Sequence, residues 1–203
     1  MKLSRTLIAG AVLALFGGLA QAADAGNIVL KVGVHNVNPK SDNGTLAGTL
    51  DSEVGSDAKP TIQAEYFLSP NLGIEVLAAL PFTHDVKLNG VKAAEVSHLP
   101  PVVSLQYHFN PNGISPFVGI GLNYTTFFNI HEKGPIAGTH LGLESSWGLA
   151  AHVGVDFPVN DKWLIQVDAR WADIDSTAKL NGAKIGTVNI DPLVYGVSVG
   201  YKF

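Results

Sequence analysis

Apolar and polar side chains alternate with a period of two residues in eight segments of this chain. The segments span residues 28–35, 62–68, 72–80, 103–109, 118–124, 147–157, 163–171 and 195–203. Such alternation is typical of a β-strand, whose successive side chains point to opposite faces. Each segment is close to the ~9–11 residues that a tilted strand needs to cross a bilayer. The sequence therefore predicts an all-β protein with eight antiparallel strands.

The connections between these segments alternate in length. Short turns are predicted at residues 69–71, 110–113 and 158–161, and each contains Pro, Asn or Asp, which favour tight reversals. Longer loops are predicted at residues 38–59, 81–97, 129–145 and 173–192. Short turns at one end and long loops at the other are typical of a bacterial outer-membrane barrel, with the turns periplasmic and the loops extracellular.

The N-terminus has the features of a secretory signal. Lys2 and Arg5 precede an apolar stretch from Leu7 to Leu19, and Ala20-Gln21-Ala22 provides a small-x-small cleavage site. We expect residues 1–22 to be a cleaved signal peptide and residues 23–203 to form the barrel domain. The chain has no cysteine and a formal net charge of −4. Its basic residues do not cluster, so nucleic-acid binding is not expected.

Alternation alone would also fit a soluble barrel with an apolar interior. Hydrophobic residues make up 46% of the chain and charged residues 15%, and the apolar face carries more aromatic bulk than an eight-stranded interior readily admits. We therefore predict that the apolar face meets outer-membrane lipid. On the last strand this face comprises Tyr195, Val197, Val199, Tyr201 and Phe203.

The polar face would then line the lumen. Its predicted members are Lys31, Glu65, Glu75, Gln106, His108, His152, Asp156, Asp168, Arg170 and Lys202. Charges in such an interior must be paired or hydrated. Two interpretations remain open at this point, a salt-bridged plug that blocks flow and a narrow water-lined passage.

Several runs of residues resemble the outer membrane protein W (OmpW) family. They are the run from Leu99-Pro100-Pro101 to Gln106-Tyr107-His108-Phe109, the run from Pro116-Phe117-Val118-Gly119 to Asn123-Tyr124, Ser146-Trp147-Gly148-Leu149-Ala150, and the ending from Asp191-Pro192 to Phe203. The resemblance covers essentially the whole mature chain. It implies an eight-stranded barrel involved in the passage of small hydrophobic molecules across the outer membrane, with lateral exit through an opening in the barrel wall.

Three prolines are candidates for such a lateral gate. Pro100 and Pro101 precede the fourth predicted strand, and Pro81 follows the third. Because proline cannot donate a ladder hydrogen bond, the wall between these strand ends could be breached. The alternative is that these prolines only mark loop boundaries.

Enzymatic and metal chemistry find little support in the sequence. There is no Gly-x-Ser-x-Gly elbow or phosphate loop, and Ser97, His98 and Asp85 lie in or beside a long loop that we expect to be mobile. His84, His98, His131 and His140 lie in or beside the predicted long loops, and we expect them to be solvated. We therefore expect neither an enzyme nor a cofactor or metal.

The predicted function is that of an outer-membrane channel or uptake protein for passive passage of small hydrophobic molecules. The alternative is a structural or adhesive barrel with a closed lumen and partner-binding loops. The expected partners are outer-membrane lipid, small hydrophobic ligands, and the barrel-assembly machinery, which would engage the C-terminal strand.

Overall fold

A computed structural model describes residues 25–203, and the predicted signal peptide at residues 1–22 lies outside the described part of the chain. Eight antiparallel strands form a closed barrel: β1 (Ile28–Asn38), β4 (Asp57–Ser69), β5 (Leu72–Ala79), β8 (Val102–His108), β9 (Ser115–Glu132), β11 (Ser146–Pro158), β12 (Trp163–Ala172) and β15 (Leu193–Lys202). Around the barrel the order is β1, β4, β5, β8, β9, β11, β12 and β15, and β15 pairs with β1 to close the wall. The predicted eight-stranded antiparallel barrel is confirmed.

Seven further strands form an extension beyond one end of the barrel. They are β2 (Thr45–Leu46), β3 (Leu50–Val54), β6 (Phe82–Leu88), β7 (Val91–Leu99), β10 (Leu141–Leu143), β13 (Asp175–Leu180) and β14 (Ala183–Asn189). The outer half of β9 continues past the barrel and pairs with β7, which continues the sheet through β6 and β3 to β2. β10, β13 and β14 form a separate three-stranded sheet, and a short 3-10 helix occupies Gly134–Ile136.

The predicted long connections lie at this end of the barrel, and the structure adds that much of their length forms strands. Asn89-Gly90 and Asn181-Gly182 both have positive φ angles, between 48° and 84°. Asn-Gly pairs adopt this conformation readily and connect the strands of two-residue hairpins. These pairs, each flanked by alternating residues, were the signals in the sequence for the β6–β7 and β13–β14 hairpins.

The outward face of the barrel is apolar and the inward face is polar. Val32, Ile120 and Trp147 are 62%, 71% and 72% exposed on the isolated barrel, whereas Lys31 is fully buried inside it. Of the last strand's predicted lipid-facing residues, Tyr195, Val197 and Val199 are about half exposed and Tyr201 is partly buried, while Phe203 follows the strand and is exposed.

Aromatic pairs mark both edges of this apolar band. Tyr124 and Trp147 lie together near the extension, with ring centroids 4.7 Å apart. Trp163 and Tyr201 lie at the opposite end, 4.9 Å apart. Aromatic residues at both margins are typical of membrane interfaces. No helix among residues 25–203 is long and apolar enough to cross a membrane.

Candidate functional site

A network of buried charges crosses the middle of the lumen. Lys31 Nζ lies 2.8 Å from Glu65 Oε2 and 3.0 Å from Glu75 Oε2. Arg170 donates to Glu75 Oε1 at 2.7 Å and to Asp168 Oδ2 at 2.6 Å. Since β5 and β12 stand on opposite sides of the barrel, the contact between Glu75 and Arg170 spans the lumen. This arrangement has the geometry of a salt-bridged plug.

A second polar layer adjoins the first and reaches toward the periplasmic end at His108. Gln106 Nε2 and Oε1 lie 3.0 Å from His108 Nε2 and 2.9 Å from His152 Nε2, respectively. His108 Nε2 also lies 2.8 Å from Glu65 Oε1, so this layer is connected to the first. Together the two layers form a continuous network of polar contacts across the barrel.

Below this layer the lumen opens into a small periplasmic vestibule. Glu65, His108, Asp156 and Lys202 are among its lining residues. Glu65, His108 and Asp156 bring potential ligand atoms within 4.8 Å of one another, although Glu65 already contacts Lys31. A search for ligand spacing along the sequence could not find this cluster, because its members lie on three different strands.

An upper cavity lies between the ion network and the extension. Its volume is about 30 Å³, on the order of one water molecule, so a larger molecule has to displace part of the lining. Its lining includes His35 and Arg170 at the polar end and Leu77, Phe82 and His98 at the other. The floor of this cavity is therefore the charged network, and most of its remaining lining is apolar.

A second cavity lies within the extension. Its lining is almost wholly apolar and comprises Leu46, Val54, Val86, Val96, Phe127, Leu141, Leu143, Ala178, Val188 and Ile190, together with His84, His98 and Ser176. His98 lines both this extension cavity and the upper cavity. The two cavities therefore meet at this side chain.

The expectation that His84 and His98 are solvated loop residues was wrong. They are 4% and 1% exposed, because β6 and β7 turn both rings into the extension. Alternation of His84 with exposed neighbours, from Phe82 to Val86, was the signal that could have placed it on a buried face. Ser97 contacts Thr83, and Asp85 pairs with Lys92, so neither residue forms a catalytic group with His98.

The barrel wall is interrupted between β5 and β8. Their ladder ends at the pair Leu77 and Val102, and pairing resumes between Phe82 of β6 and His98 of β7. Between these points, residues 78–81 face residues 99–101 without ladder pairs. We call this interruption the wall gap.

The backbone beside the wall gap is bonded to other neighbours. Leu80 N donates to Pro60 O at 3.1 Å, and Pro101 O accepts from Tyr124 N at 3.1 Å. Pro81 is exposed, while Pro100 and Pro101 are partly exposed. Ala78, Ala79 and Pro100 line the upper cavity, so this cavity reaches the barrel wall at the gap.

A closed barrel with an apolar belt, aromatic margins and a charged interior defines an outer-membrane β-barrel protein. Residues 24–203 match the model of the OmpW family, and the chain belongs to that family. It is therefore located in the bacterial outer membrane, in contact with the membrane lipid, and belongs to a family of outer-membrane proteins rather than of enzymes.

Relatives support this assignment along nearly the whole chain. Outer membrane protein W of Escherichia coli (strain K12) is 38% identical over 211 residues, covering 98% of each chain. The crystal structure of the outer membrane protein OprG from Pseudomonas aeruginosa is similar, with a TM-score of 0.80, 31% identity, and coverage of 91% of this chain and 99% of that one. The solution structure of Escherichia coli outer membrane protein W has a TM-score of 0.65 and 36% identity, covering 89% and 99%.

Proposed function

We propose that this protein takes up small, largely apolar molecules and releases them sideways into the outer membrane. The route begins in the extension cavity, passes His98 into the upper cavity, and leaves through the wall gap beside Pro81, Pro100 and Pro101. The observation that carries the proposal is the position of the upper cavity, which reaches the gap while the ion network lies beneath it.

The chemistry of the two ends of the upper cavity favours lateral exit. An apolar molecule that continued toward the periplasm would have to displace the contacts of Glu75 with Lys31 and Arg170. Breaking a buried ion pair is costly, since it leaves uncompensated charge. Movement into lipid instead removes apolar surface from water, and it requires neither a cofactor nor an energy source.

One relative supports the chemical class of the transported molecule. A Pseudomonas aeruginosa protein named for a dibenzothiophene metabolism operon is 25% identical over 151 residues, covering 70% of each chain. Dibenzothiophene is a small apolar aromatic molecule. We propose that molecules of similar size and polarity are ligands of the present protein.

The wall gap provides the test. The double variant Pro100→Val/Pro101→Val introduces two backbone donors. Because Pro101 O already faces β9, the new donor at position 100 is the one that can extend the ladder toward β5, and we expect slower uptake of a hydrophobic fluorescent probe into cells. Pro111→Val, at a periplasmic turn, is the matched control and should leave uptake unchanged. Equal uptake by the double variant and the wild type would contradict exit through the gap. Equal uptake by wild-type and deletion strains would instead favour the closed structural or adhesive barrel.

A further inference from the structure

Two histidine rings meet at the junction of the extension cavity and the upper cavity. His84 Nε2 and His98 Nε2 lie 2.8 Å apart. The rings of Phe82 and Phe127 flank His98, with centroids 5.6 Å and 5.9 Å away. The hydrogen bond between the two imidazoles is thus enclosed by aromatic and aliphatic side chains.

The partners of these rings determine where their protons lie. His84 Nδ1 contacts the backbone carbonyl oxygen of Gly55, which can only accept, so His84 carries its proton on Nδ1. Both rings lie in the extension, beyond the aromatic pair of Tyr124 and Trp147. Burial lowers the pKa of His84, and burial together with the neighbouring His84 lowers the pKa of His98 to about 3. Both rings are therefore neutral at neutral pH, with one N–H each.

This assignment leaves one acceptor unused. Because His84 Nε2 bears no proton, it accepts the hydrogen bond that His98 Nε2–H donates. His98 Nδ1 is then an unprotonated acceptor, and it has no hydrogen-bond partner among the described residues. A buried acceptor without a partner costs free energy that a suitable donor would recover.

The lining of the extension cavity offers His98 Nδ1 no substitute donor. The extension cavity has one other polar side chain besides the two histidines, and that residue, Ser176, already donates to Glu144 O at 2.7 Å. Asp57 and Lys59, the charged groups nearest to His84, pair with each other at 2.9 Å. The lining of the extension cavity therefore contains a single buried side-chain nitrogen or oxygen without a partner, His98 Nδ1, at the junction with the upper cavity.

We infer that His98 Nδ1 accepts a hydrogen bond from the hydroxyl or N–H group of a ligand passing between the two cavities. The favoured ligands would be small apolar molecules with one hydrogen-bond donor, such as phenols, aliphatic alcohols and aromatic amines. This inference rests on the proposed uptake function and specifies its ligand class. His98 would act as a specificity-determining residue.

A pair of matched probes tests the inference. 1-Naphthol and 1-methoxynaphthalene share a ring system, but only the former has a donor. Their dissociation constants are measured by titration calorimetry with the full barrel in lipid vesicles. Preference is the ratio of the dissociation constant of 1-methoxynaphthalene to that of 1-naphthol. We expect this ratio to be about fivefold larger for the wild type than for the variant His84→Phe/His98→Phe, which is the range of one hydrogen bond. Both histidines are replaced because His84 Nε2 would otherwise become a new open acceptor.

Val96→Ala is the control variant, because it alters the lining of the extension cavity without touching the acceptor. It should change the affinity for both probes by the same factor. An equal preference in the wild type and the double variant would overturn the assignment of His98, while leaving the uptake function intact. If neither probe bound the wild type, both the assignment of His98 and the proposed uptake function would be contradicted.

Nitrogen NMR of the wild type provides a second readout that requires no variant to fold. With ¹⁵N-labelled histidine, we expect the His98 Nδ1 resonance to shift when 1-naphthol is added, because an unprotonated nitrogen responds strongly to a hydrogen-bond donor. 1-Methoxynaphthalene should shift it far less. Identical shifts with both probes would contradict the proposed contact.

Discussion

Glu75 is the side chain on which the lumen network depends. Its two carboxylate oxygens contact Lys31 from β1 and Arg170 from β12, and it is fully buried. Both cations are themselves almost completely buried. Because a charge in this environment requires a partner, each of the three groups stabilises the protein through the other two.

Glu75→Ala should lower the free energy of unfolding by about 3–5 kcal/mol, since it leaves both buried cations short of a partner. The measurement is urea unfolding in lipid vesicles, followed by tryptophan fluorescence. Glu53→Gln, an exposed position on the extension, is the control and should change the value by less than about 0.5 kcal/mol. A loss for Glu75→Ala as small as that of the control would show that the network is not stabilising.

Gly148 lies where the backbone leaves no room for a side chain. A Cβ atom built at this position would collide with the backbone carbonyl of Asp173, whereas one at Gly142 would meet Lys179 Cβ at an ordinary 3.9 Å. Gly148→Ala should therefore cost about 1–3 kcal/mol of stability, the range for overpacking. Gly142→Ala is the matched control and should be nearly neutral. Comparable unfolding midpoints for the two variants would contradict the packing argument.

At the scale of elements, β6 and β7 carry the buried imidazole pair. Both imidazoles are neutral in the folded extension and become protonated more readily when it opens. Between the ordinary histidine pKa of 6.5 and the lowered pKa of His98, about 3, the unfolded segment binds more protons than the folded one. The extension should therefore lose stability as the pH falls through this window.

Hydrogen exchange can locate this effect. We expect protection of the β6–β7 amides, corrected for intrinsic rates, to fall between about pH 7 and pH 4.5 more than protection of the β4–β5 ladder does. The variant His84→Phe/His98→Phe should remove most of the difference, since it removes both titrating groups. An equal loss of protection in both ladders would show that groups other than His84 and His98 cause the pH dependence.

At the scale of the whole molecule, the ion network and the wall gap differ in which molecules they would let pass. An ion crossing the barrel along its axis would have to pass the Lys31, Glu75 and Arg170 contacts, whereas an apolar molecule leaving at the gap would not. We expect uptake of a hydrophobic probe without ion conductance. Planar-bilayer recordings should show no well-resolved conductance steps from the wild type, under conditions in which a porin of known conductance serves as the positive control. Stable steps would indicate an open, hydrated lumen.

Part of the candidate site could be predicted from the chain alone. The alternation at Val197 and Val199 indicates which face meets lipid, and the same pattern assigns Lys31 and Glu75 to the other face. The prolines at 100 and 101 indicated where the ladder could break. The strands of the extension are largely not predictable from alternation because they are short, although Asn-Gly pairs mark two of their turns.

Alternation along the chain determined the barrel class, the strand number and the polarity of the two faces, because a period of two is a local property that each strand carries by itself. Only the tertiary structure decided which charges meet, since Glu75 and Arg170 are 95 residues apart and come together by barrel closure. The same holds for the pairing of His84 with His98 and for the cavity that reaches the wall gap. Contacts across a lumen depend on register and curvature, which no single strand specifies.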